Sequence, residues 1–168
     1  MTTRNDYTDD EWQQLVTMPQ LAAWGAMAAE EGGSATSTRE LWAGMQELAR
    51  AARTTYPGNA LIQAVSRAIT HREDGATLTA EEWHAGSPAA LQYVVVEKTI
   101  ATALKLREIL AQRSTPEEAA QYAAWIMGIA HAGVEAAKTG FLGLRGAEVT
   151  PDEARFLREL AAALGVEE

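Results

Sequence analysis

The sequence predicts an all-α fold, one compact domain over residues 1–168: a bundle of about seven to eight helices with one long central helix. Three observations carry this. The pattern Ser/Thr-x-x-Glu recurs at Thr8–Glu11, Ser37–Glu40, Thr79–Glu82, Thr115–Glu118 and Thr150–Glu153. There the hydroxyl accepts from the third amide of a helix while the Glu accepts from the amide of the cap residue, which satisfies two donors that a helix start leaves open. Between these marks apolar residues recur every three to four positions. Nowhere do they alternate as in a half-buried strand; Val94-Val95-Val96 is a β-branched cluster, but the helical spacing around it outweighs its local preference.

The elements follow in order. Thr8 opens the first helix, and Met18-Pro19 predicts a break, because an interior proline lacks the N–H a helix needs. Gly32-Gly33 precedes the helix opened by Ser37, whose Leu41, Met45, Leu48 and Ala52 form one stripe. Tyr56-Pro57-Gly58-Asn59 breaks the chain before the stripe Leu61, Val65, Ile69. Asp74-Gly75 and Gly86-Ser87-Pro88 flank the helix opened by Thr79, and Ser87-Pro88 opens another. From Pro88, the residues Leu91, Val94, Val95, Ile100, Leu104, Leu106, Ile109 and Leu110 run without Gly or Pro, which predicts the long helix through the middle of the core. Gln112-Arg113-Ser114 ends it. Tyr122, Trp125, Ile126, Ile129 and Val134 follow Thr115-Pro116; Phe156, Leu157, Leu160 and Leu164 follow Thr150-Pro151 and stop at Gly165. Ala supplies 34 residues, so helices are expected to approach closely, and the five Trp are expected in the core or at helix interfaces.

Composition narrows the function. With no Cys, disulfide scaffolds, Cys-ligated zinc and thiol chemistry are excluded, and a reducing cytoplasm is the expected compartment. A formal net charge of -9 opposes phosphate backbones and anionic lipid surfaces, so nucleic acid is not an expected partner. The start, Met1 to Asp10, lacks the basic and apolar regions of a secretion signal, and the longest apolar run, Leu21 to Ala29, is far short of a membrane span.

Gly75-Ala76-Thr77-Leu78-Thr79-Ala80-Glu81-Glu82 and Gly146-Ala147-Glu148-Val149-Thr150-Pro151-Asp152-Glu153 share the form Gly-Ala-x-aliphatic-Thr-x-acid-Glu. Two readings are open: a turn glycine before a capping box, or duplication of a helix-pair unit. The pattern resembles the TerB-like (tellurite-resistance-associated) all-helical proteins, and the stretch from Gly140 to Gly165 is similar to small bacterial helical proteins. The resemblance covers about a third of the chain. It implies a helical, stress-associated module with acidic residues near such turns as cation ligands. Asp74-Gly75 with Glu81 or Glu82 keeps that arrangement; the second copy has Arg145 before its glycine.

Candidate chemistry is sparse. Glu81 and His84 form Glu-x-x-His, a carboxylate and an imidazole on one helix face, as bundle metal sites use. Glu97, His131 and Glu135 could complete a mixed site; the alternative is an exposed His84 and a partly buried His131 bonded to backbone. An EF-hand is excluded, because Arg72 would fall at a ligand position. Gly140 to Gly146 has neither the Gly-Lys-Ser/Thr nor the preceding strand of a phosphate loop, and there is no Gly-x-Ser-x-Gly. In that segment Phe141, Leu142 and Leu144 lie among glycines beside Arg145, either tucked onto the core or displayed as a contact surface. The expectation is a non-enzymatic cytoplasmic binding or scaffold module without a cofactor, a divalent cation aside, that meets a protein partner or itself. The alternative is a carboxylate–histidine metal-binding bundle.

Overall fold

The computed structural model describes residues 2–29, 37–72, 88–138 and 149–166, apart from the side chains of 37–40, 88–91, 137 and 138. Among the described residues there are six α-helices: α1 (Asp9–Ala28), α2 (Ser37–Thr54), α3 (Ala60–His71), α4 (Pro88–Arg113), α5 (Pro116–Lys138) and α6 (Pro151–Leu164), with a 3-10 turn at Arg4–Asp6 before them. The fold class is as expected and the helix count is lower. The expected start at Thr79 lies outside the described residues. The expected break at Pro19 does not occur.

Helix α1 runs straight through Pro19. Proline offers no N–H to the Leu15 carbonyl four residues earlier, and an orphaned carbonyl in a core is costly. Here the fully buried Tyr122 hydroxyl of α5 donates to that carbonyl at 2.6 Å. A tertiary hydrogen bond replaces the helical one, so the helix continues.

The other boundaries obey local rules. Thr8 and Thr150 close full capping boxes with Glu11 and Glu153, and Thr115 does so with Glu118. Helix α3 is capped by Asn59, whose side chain accepts from the Ile62 amide at 3.0 Å. At the opposite ends Arg72 and Gly165 adopt left-handed backbone, φ 52° and 73°, and close the last turns of α3 and α6.

Paired contacts fix the topology. Glu11 meets Arg113 and Leu21 meets Thr99, so α1 and α4 are antiparallel; Leu48 meets Trp125 and Gly44 meets Ile129, so α2 and α5 are too. Leu15 meets Tyr122, which sets α5 parallel to α1, and Arg107 against Gly165 sets α6 parallel to α4. The chain thus runs up and down, with the turns at 55–59 and 114–115 at its lower end beside the first and last described residues.

The core differs from expectation in one respect. Helix α4 is the longest, but the helices that touch all five others are α1 and α5. The upper half of α1 buries Leu21, Ala22, Ala23, Gly25, Ala26 and Ala28, because small side chains admit neighbours on every side. Gly44 of α2 faces Ala23 so closely that an added Cβ would lie 2.8 Å from the Ala23 Cβ. Helix α4 buries Val95, Thr99, Thr102, Ala103, Leu106 and Leu110 on its inner face, yet Val94 is 41% and Leu104 51% exposed. It carries apolar residues on both faces and only the inner one is packed.

Candidate functional site

At the lower end the polar side chains act on one another and on the backbone. Glu118, on the first turn of α5, accepts from the Thr115 amide and hydroxyl at 3.3 and 3.0 Å and from the Thr2 amide at 3.0 Å and hydroxyl at 2.5 Å. Desolvation pushes its carboxyl up, but these four donors outweigh it and hold the carboxyl at about 2. Asp6 and Glu11 are likewise held low, first by the backbone amides of Thr3 and Thr8. Tyr7 shares a 2.8 Å hydrogen bond with Ser114, and burial raises its phenol. Asn59, besides capping α3, donates to the Glu118 carbonyl at 3.3 Å and to Gln121 at 3.0 Å. Gln63 donates to the Ala52 and Tyr56 carbonyls at the end of α2. These groups hold the N-terminal segment, α2, α3 and α5 together, and none is left poised for proton transfer.

An apolar cleft of about 520 Å³ lies where α4 and α6 end and α5 begins, lined by Leu110, Pro116, Ala119, Ala120 and Leu164 with Arg107 at its rim. The outer face of α4 is also open to a partner. Tyr93 is 67% exposed, and with Val94, Ala101 and Leu104 it forms an apolar stripe interleaved with Glu97, Lys98, Lys105 and Glu108. Trp42 on α2 is exposed as well, whereas Trp125 is buried and Trp12 and Trp24 are half-buried. The expectation that every Trp lies in the core or at a helix interface is therefore wrong for Trp42, while Trp83 lies outside the described residues.

Glu81, His84, Phe141, Leu142, Leu144 and Arg145 also lie outside the described residues. Of the remaining candidates, Glu97 is exposed on α4, and His131 and Glu135 are exposed on α5. His131 was expected to be partly buried; it falls seven residues after the exposed Ala124 and four before the exposed Glu135, on the outer face of α5. Among the described residues no three His, Cys, Asp or Glu are grouped to hold a metal ion. Among the described residues one buried acceptor stands open: Glu153, at the start of α6, spends one carboxylate oxygen on the Thr150 amide at 2.7 Å, and its Oε1 meets no donor there. No described helix is long and apolar enough to cross a membrane.

The spacing of α4 alone could not reveal its outer face, since inner and outer apolar residues merge into one dense pattern. The signal was the excess: Val94 and Leu104 do not fall on the stripe defined by Val95, Leu106 and Leu110. No protein-family model, no curated protein and no solved structure matches the chain.

Proposed function

We propose that the chain is a non-enzymatic cytoplasmic helical module, like the TerB-like proteins it resembles, that works by binding protein. One observation carries this reading: α4 displays Tyr93, Val94 and Leu104 to solvent while the polar side chains of the lower end are engaged in capping and cross-linking. Large apolar side chains grouped on an exposed helix face mark a contact surface, so this stripe calls for a partner. The chemistry left on that face is contact chemistry, with alkyl and phenol groups among alternating charges.

Native mass spectrometry of the full chain, alone and with the double change Val94→Glu and Leu104→Glu, tests this. Protein-bound species are expected from the parent and their loss from the double variant, with an unfolding free energy that stays within about 0.5 kcal/mol, since both positions are at the surface. A chain that stays bare and carries a stoichiometric transition metal, lost on Glu81→Ala or His84→Ala, would overturn the proposal in favour of the carboxylate–histidine alternative.

A further inference from the structure

We infer that the partner on the outer face of α4 is a second copy of this chain, docked helix against helix in parallel. The inference rests on the binding reading above and names the occupant of that surface. At 100° per residue, Val94, Ala101 and Gln112 fall within 20° of one line along the exposed side of α4. Glu97, Leu104 and Glu108 fall to one side of that line, and Lys98 and Lys105 to the other; all five are exposed. The helix therefore carries an acidic flank and a basic flank separated by an apolar seam.

That sorting selects the orientation of a self-complementary partner. Two such helices side by side in parallel, related by a two-fold axis along the seam, bring the basic flank of each against the acidic flank of the other. Lys98 then stands opposite Glu97 of the second copy, and Lys105 opposite Leu104 and within reach of Glu108. An antiparallel pair turns each flank onto its own kind, lysine to lysine and glutamate to glutamate. Exposed ion pairs add little affinity but set orientation, as the flanking positions of coiled coils do. The affinity comes from Val94, Ala101 and Leu104, which the helix exposes to solvent. An isologous two-fold contact of this kind also closes, so it ends at a dimer.

The chain holds no Cys, so a single introduced thiol reports geometry cleanly. Gln112, exposed close to the seam near the end of α4, would face its own copy only in the parallel pair. Gln112→Cys is expected to form an intermolecular disulfide under mild oxidation, and sedimentation of the parent to give a concentration-dependent species of about twice 18.1 kDa. Leu104→Glu is expected to raise the dissociation constant by about tenfold or more while circular dichroism stays that of the parent. Lys98→Glu with Lys105→Glu should weaken self-association, and mixing that chain with Glu97→Lys plus Glu108→Lys should restore a mixed dimer. A parent that stays monomeric at all concentrations overturns the inference, and so does a dimer in which Gln112→Cys fails to cross-link. A monomer that still binds a different protein in native mass spectrometry leaves the binding reading standing and removes only the second copy, so the two failures are distinct.

Discussion

The lower and upper halves of the bundle are held by different physics, although α1 runs through both. Below Pro19 its contacts are directional: Glu11 pairs with Arg113 at 3.1 Å, and the Leu15 carbonyl accepts from Tyr122. Thr2, Tyr7 and Asn59 add hydrogen bonds to Glu118, Ser114 and Gln121 around them. Above Pro19 the Thr99 hydroxyl reaches the Leu21 carbonyl at 3.2 Å, and close approaches of Ala23 to Gly44 and of Gly25 to Phe156 dominate. Directional bonds can be lost one at a time, each for a limited cost. Close approach has no such gradation, because a single added methyl group meets a wall. The lower half should therefore respond to substitution in small steps and to pH, the upper half sharply and to volume.

The sharpest break in that contrast is at Phe156. Removing its ring leaves a hole beside Gly25, and Phe156→Ala should cost about 3–5 kcal/mol by urea unfolding. Gly25→Ala adds a Cβ 2.6 Å from the Phe156 Cζ and 3.1 Å from the Thr99 Oγ1. The crowding should cost about 1–3 kcal/mol, partly offset by the better helix propensity of alanine, about 1 kcal/mol. Because the ring is what the methyl group meets, Gly25→Ala with Phe156→Leu should cost less than the sum of the two single changes. Strict additivity would mean that some other group limits the approach of α6 to α1.

A second cycle tests the lower half at its boundary. Tyr122→Phe strands the Leu15 carbonyl in the core and should cost about 1–3 kcal/mol. Pro19→Ala gives that carbonyl an ordinary helical N–H donor. In that background Tyr122→Phe should cost about 1 kcal/mol less, a coupling that equilibrium unfolding of the four proteins measures directly. Equal cost with and without Pro19 would mean that the tyrosine does not substitute for the missing donor.

The two halves also differed in how far the sequence revealed them. Thr8, Thr115 and Thr150 open helices where their spacing to Glu11, Glu118 and Glu153 predicts, since a capping box is a local device read within four residues. Pro19 misled for the complementary reason: the local rule predicts a break, and the group that cancels it, Tyr122, is over a hundred positions away in the chain. The central place of α1 was hidden because Ala and Gly add little to an apolar stripe; their value lies in what they let approach. At the candidate surface, Val94 and Leu104 were assigned to the core because spacing marks apolar positions without saying whether a neighbour covers each one. Glu97 sits on the solvent side of α4, and His131 with Glu135 on the solvent side of α5, so the three do not gather at one place.

The smallest effect, and the one that depends on pH, belongs to Glu118. Its carboxyl lies near 4.5 when unfolded and at about 2 in the fold. A lowered carboxyl contributes stability that is present in full above about pH 4.5 and is lost as the pH falls toward 2, because the unfolded chain takes up the proton first. Glu118→Gln keeps one acceptor for Thr115 or Thr2, loses the charge, and should cost about 1 kcal/mol at neutral pH. Its stability curve should lie below that of the parent at pH 7 and converge with it as the pH is lowered toward 2. Glu11, held low first by its own cap, titrates in both proteins and leaves a shared slope, while Asp6, which the Glu118 charge raises, should titrate a little lower in the variant. Changing Gly25 should displace the whole curve by a constant, since no charge is involved there. Curves for Glu118→Gln and the parent that stayed parallel from pH 5 to pH 2 would place the acid-sensitive latch elsewhere than between Thr2 and α5.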